Sequence, residues 1–203
     1  MYEDEVTRRG ALALGLAAIG GLFMTMQPGA NPTLGFFGRK GKPEHPAMNL
    51  PRKMRQRNWI GGPWQNGSCV VASMISLLRW QGKYALANRL RRRYGGGQDF
   101  WSWNSILDRE GIRYAVTYNK RNVAFLERAI KTRRGCMVAI EGLAHMVCLV
   151  DLTPTKACIL DNNDTSRYIW RDRSEFLADW FGAHSWALTP VYSPTSPRSP
   201  QNG

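Results

Sequence analysis

Apolar side chains recur at helical spacing through the middle of the chain, and then the period changes. From Ser68 to Trp80 they fall at Val70, Val71, Met74, Ile75, Leu77 and Leu78, the stripe of a helix that Gly82 ends. Tyr84 to Tyr94 continues as a second helix with Leu86 and Leu90 inward, closed by Gly95-Gly96-Gly97. Ser102 is placed to cap a third helix carrying Ile106 and Leu107 as far as Gly111. Ile112 to Tyr118 alternates weakly, as a strand does. Asn122 is placed to cap a fourth helix with Val123, Leu126 and Ile130 on one face, and Lys131 to Arg134 suit the negative end of its dipole. Short apolar runs follow at 136–140, 145–152, 157–160 and 167–170, which read as strands. Ser174 starts a short helix through Trp180, and 186–192 makes a last strand. Helices first and then an antiparallel sheet is an α+β pattern.

The flanks carry no such period. Thr7-Arg8-Arg9-Gly10 precedes an uncharged run to Met26, the layout of an export signal of twin-arginine type. Residues 1–30 are therefore expected to be an export signal or an uncleaved membrane anchor, and the protein periplasmic or displayed at the cell surface. Residues 31–54, rich in Pro, Gly and cations, read as a linker or an arm draped over the domain. The folded domain is expected over 55–192, and the Pro/Ser-rich tail 193–203 is expected to be disordered.

Composition narrows the function classes. The chain has 203 residues, 43% hydrophobic and 21% charged, which suits one ordinary globular domain. Its net charge of +13 does not follow the average, and much of the excess lies in one place. Between His45 and Gln98 there is no Asp or Glu, while Arg52, Lys53, Arg55, Arg57, Arg79, Lys83, Arg89, Arg91, Arg92 and Arg93 are all cationic. A solvated helix face plus a basic arm accounts for this block, and such an arm suits an anionic membrane surface at about 1 kcal/mol per cation. No helix-turn-helix, zinc-finger or RNA-binding motif accompanies it, so nucleic acid is not the expected partner. The four cysteines (69, 136, 148, 158) form no CxxC pair and there are three histidines. That pattern is neither a disulfide scaffold nor a structural zinc site, and no metal or organic cofactor is expected.

One cysteine has a distinctive setting. Gln65-Asn66-Gly67-Ser68-Cys69-Val70 places Cys69 at the first turn of an apolar helix, after a turn-prone entry. Unpaired N–H groups and the positive end of the dipole stabilise a thiolate there. Gln65 can offer its side-chain amide as one oxyanion donor, and the Cys69 backbone N–H can be the other. Of the three histidines, His45 lies in the arm and His184 in a loop, whereas His145 opens the apolar run Met146-Val147-Cys148-Leu149-Val150. Asp161 ends the next strand, Cys158-Ile159-Leu160, and antiparallel pairing brings the start of one strand beside the end of the next. Cys136, Cys148 and Cys158 fall in apolar runs as core residues. Trp101 and Trp103 read as the edge of the core, or as lining of a substrate cleft.

These residues resemble the papain-like cysteine peptidases, specifically the bacteriocin-processing branch that trims double-glycine leaders. The likeness covers about residues 60–188: a Gln-to-Cys helix start, Ala144-His145 opening an apolar strand, Ile159-Leu160-Asp161 closing the next, and Phe176 to Gly182 as the branch's short C-terminal helix. It implies Cys69 as nucleophile, His145 as general base and acid, Asp161 as orienting carboxylate and Gln65 as oxyanion donor. The implied substrate is a peptide or protein. Gln65 stands four residues before the cysteine where the family has six, and Val70 follows it where the family has glycine. Asn162 and Asn163 are alternatives to Asp161 as orienting groups. No transporter segments follow, so a free-standing, exported relative is expected. Two other functions share this frame: a decayed papain-like module binding anionic surfaces or nucleic acid, and an amidase or transglutaminase acting on side-chain amides.

Overall fold

The computed structural model describes residues 45–60 and 67–193, all within one compact unit, Lys42–Gly203. The expected export segment, most of the linker, residue Gln65 and nearly all of the tail lie outside the described residues. No described helix is long and apolar enough to cross a membrane.

The order of elements is α1 (Cys69–Trp80), α2 (Tyr84–Arg93), α3 (Trp103–Arg109), β1 (Tyr114–Thr117), α4 (Val123–Lys131), β2 (Cys136–Ile140), β3 (His145–Leu152), β4 (Lys156–Leu160), β5 (Ile169–Asp172), α5 (Arg173–Gly182) and β6 (Ala187–Pro190). The strands form one sheet in the order β1-β6-β2-β3-β4-β5, every neighbouring pair antiparallel. The architecture is α+β, as the change of period in the sequence indicated. Two 3-10 turns, Arg52–Met54 and Glu141–Leu143, complete the described elements, and a single turn carries no periodicity in sequence.

Helix α1 is the axis of the domain. All its residues are buried except Cys69 and Arg79, so it is apolar nearly all round rather than amphipathic. It lies against β3, where the Ser73 hydroxyl donates to the Met146 carbonyl at 3.2 Å and the Cys148 thiol donates to the Ser73 carbonyl at 3.4 Å. Asn122 caps α4, its Oδ1 accepting from the Phe125 N–H at 3.1 Å. Glu110, at the end of α3, accepts from Arg89, Arg93 and Tyr94 and so ties α2 to α3.

The core begins earlier than residue 55. Met48, Leu50 and Met54 are buried within it, and the Met48 N–H donates to the Val150 carbonyl of β3 at 3.1 Å. Composition marks this stretch as linker because its prolines break periodicity, but its three apolar side chains fill the core at β3 and its neighbours.

Candidate active site

Cys69 is the first residue of α1, and its entry is fixed by the adjacent Ser68 and the segment 58–60. The Ser68 hydroxyl accepts from the backbone N–H groups of Trp59 and Ile60, at 2.8 and 2.9 Å, and donates to the Asn58 side chain. Ser68 therefore holds the preceding segment and makes no side-chain cap on α1, although it occupies the capping position. The first-turn N–H groups are left without a side-chain cap, which keeps the electropositive end of the helix directed at the sulfur. Gly67 lies beside it. A Cβ there would stand 3.8 Å from the Cys69 sulfur, so the missing side chain keeps one approach to it clear.

His145 opens β3 opposite Ile140 of β2 and is almost fully buried. Its Nε2 lies 2.9 Å from Asp161 Oδ1, and the Cys69 side chain is near enough to the ring to favour its charged form. The imidazole thus has both a carboxylate and a thiol beside it. Burial alone would oppose a charge on it, but the bond to Asp161 and the nearness of Cys69, with the negative charge of each, push its pKa up to about 10. Burial would likewise raise the Asp161 carboxyl. The hydrogen bonds from His145 and the Asn163 N–H outweigh that and hold it below the usual carboxylate range.

The two asparagines after Asp161 divide the supporting work. Asn162 is buried, and its amide donates to the carbonyls of Cys69 (3.2 Å) and Met146 (2.7 Å) and to the Ser73 hydroxyl (3.0 Å). It bolts the start of α1 to the start of β3 and so fixes the distance between thiol and imidazole. Asn163 donates its backbone N–H to Asp161 at 2.8 Å, and its side-chain oxygen accepts from Asn58 at 3.0 Å. Asp161, not either asparagine, makes the short contact with the ring. The partners of Asn58 and Asn162 carry no local sequence signal, since they lie up to 105 and 93 positions away.

A second support sits on the other side of His145. Glu141, Gly142 and Leu143 all have positive φ, at 54°, 60° and 78°, immediately before Ala144-His145. Two of the three are not glycine, so the turn stores backbone strain. Asp179 of α5 holds it: one carboxylate oxygen accepts the Glu141 N–H at 2.7 Å and the other pairs with Arg171 at 2.7 Å.

The remaining candidates stand apart. His45 and His184 are exposed, and Cys136, Cys148 and Cys158 are buried free thiols. Burial pushes the Cys136 thiol up and the Cys148 thiol up to about 12, so neither ionises in the physiological range. Of the two tryptophans, Trp103 is fully buried, whereas Trp101 is 60% exposed and packs edge-on against Tyr118.

No family model matches the chain, and no curated protein matches it. Among solved structures it is similar to one described as a putative C39-like peptidase from Bacillus anthracis. Identity is 14% and the TM-score 0.53, over 74% of this chain and 98% of that one. The chain shares the fold of a C39-like peptidase. A double glycine motif protease from an AMS/PCAT transporter, solved in complex with the leader peptide, is also matched, at 16% identity and a TM-score of 0.44, over 68% of this chain and 94% of that one. The α+β fold expected from the sequence is therefore shared with a C39-like peptidase.

Proposed function

We propose that the protein is a cysteine peptidase working through a Cys69–His145–Asp161 triad. The observation that carries this reading is the buried imidazole at the start of β3, 2.9 Å from Asp161, with its charged form favoured by Asp161 and Cys69. In the resting site Cys69 donates its proton to His145 and the thiolate–imidazolium pair forms. With Nε2 engaged by Asp161, the ring nitrogen serving the sulfur is Nδ1. The thiolate adds to the scissile carbonyl carbon, and the oxyanion is received by the Cys69 N–H, with Gln65 as the second donor. His145 then gives its proton to the departing amine, leaving a thioester. Water, deprotonated by the now neutral His145, adds to the thioester, and collapse returns the thiolate and releases the acid. The substrate is a peptide or protein. We also propose that the protein acts outside the cytoplasm, an inference from the arginine pair ahead of the apolar run.

The test is covalent. An epoxysuccinyl peptide should modify Cys69 alone, seen as one adduct on the peptide containing it. Cys69→Ser and His145→Ala should each lower cleavage of a fluorogenic peptide library by about 10³-fold or more at unchanged fold. Ammonia release from glutamine side chains without peptide cleavage would replace the peptidase with an amidase. Absence of any adduct would leave a binding module.

A further inference from the structure

The triad uses none of the cations in the acid-free stretch from His45 to Gln98. Two of them, Arg52 and Arg55, line an open cavity of about 560 Å³ together with Asn49, Arg167, Tyr168 and Trp170. Its size is that of a site for a small organic molecule. No carboxylate lines it. The Arg55 guanidinium is fixed in place: it donates to the carbonyls of Leu50 and Thr165, both at 2.9 Å, and its carbon lies over the Tyr168 ring, 4.3 Å from the centroid. The Tyr168 hydroxyl is fixed in turn by the Asn49 side chain at 3.2 Å and the Leu50 carbonyl at 3.3 Å. Arg52 is exposed and enters no ion pair among the described residues. Arg167 is largely exposed and pairs with Asp164 through Nε at 3.0 Å, which leaves the terminal edge of its guanidinium for another anion. The cavity thus offers a preformed wall, two guanidinium groups able to close on an anion, and the tryptophan and tyrosine of one strand entrance.

We propose that this cavity binds a small phosphorylated compound with a planar ring, of the nucleotide class. Arg52 and Arg167 take the phosphate in bidentate fashion, and the ring lies against Trp170 beside the Arg55–Tyr168 stack. A bare anion would make no use of the Trp170 ring, and a neutral ring would make none of Arg52 and the terminal edge of Arg167. No residue of the triad takes part, so the site stands or falls separately from the peptidase reading.

Isothermal titration of the full chain near physiological salt with ADP, pyrophosphate and adenosine tests it. One saturable site is expected for ADP, at least about tenfold tighter than for either fragment. Arg52→Gln combined with Arg167→Gln should weaken ADP by about tenfold or more. Trp170→Leu should weaken ADP while leaving pyrophosphate unchanged. The first two positions are exposed, so circular dichroism should show a native fold; should a variant unfold, the wild-type comparison of ADP with its fragments decides. Failure to saturate at millimolar ADP, equal affinity for ADP and pyrophosphate, or an undiminished affinity in the double variant overturns the proposal. So does retention on phosphatidic acid vesicles without ADP binding, which would make the cavity a headgroup site.

Discussion

His145 is the residue on which most of the physical argument meets. Its neighbours favour the charged ring, so the proton that a free imidazole loses near neutrality is held to about pH 10. Since the folded value exceeds the unfolded one, the stability contributed by this ring is complete below about pH 6.5 and is lost as pH rises toward 10. Asp161 works in the other direction: its contribution is present above the ordinary carboxylate range and is lost on acidification. A histidine-selective NMR titration should show His145 protonated through pH 8. In Cys69→Ser the same titration should move to lower pH, because one of the two partners that favour the charge is gone. An unchanged midpoint would mean that the thiol contributes nothing to the ring. Cys69, His145 and Asp161 were legible in sequence because each stands at an element boundary with its own signal. Asn162 was read only as a substitute for Asp161; its actual contacts, to Cys69, Met146 and Ser73, depend on a chain reversal that no local pattern encodes.

At the scale of elements, the five helices and six strands among the described residues follow the helical periods and apolar runs in the sequence, with β5 at Ile169–Asp172 rather than 167–170. The connections that aim the site were not legible. The Glu141–Leu143 turn reads as an ordinary loop, yet its three positive φ values set the direction from which His145 enters β3. Its strain, about 1–3 kcal/mol for each of the two non-glycine residues, is held by the Asp179 carboxylate bond to Glu141. Asp179→Ala should lower stability by about 1.5–3 kcal/mol in urea unfolding and lower kcat more than it raises KM, since the imidazole would lose its fixed approach. Asp179→Asn should recover part of the stability, because an amide oxygen can still accept from Glu141. Equal kinetics in wild type and Asp179→Ala would remove this turn from the account.

As a whole, the described domain is a buried helix carrying the thiol against a sheet carrying the base and its orienting acid, with the segment 46–54 inserted in the same core. That segment, 46–54, changes the domain boundary drawn from composition. Proline and cation content signalled an arm, while three apolar residues spaced without period carried the actual burial. Leu50→Ala should cost about 2–5 kcal/mol by denaturant midpoint, as for any fully buried leucine. A loss below about 0.5 kcal/mol would restore the linker reading.

The central claim is that folding places a thiol and a charged imidazole in one hydrogen-bonded pair. The pH dependence of iodoacetamide alkylation at Cys69 measures this directly, because Cys136, Cys148 and Cys158 are buried. An ordinary thiol of pKa about 8.5 is well under one per cent ionised at pH 6 and reacts accordingly slowly. The pair predicts alkylation of Cys69 at pH 6 many times faster than that of a free cysteine, and a collapse of the excess in His145→Ala. A rate that climbs only near pH 8.5, or one that His145→Ala leaves unchanged, would contradict it.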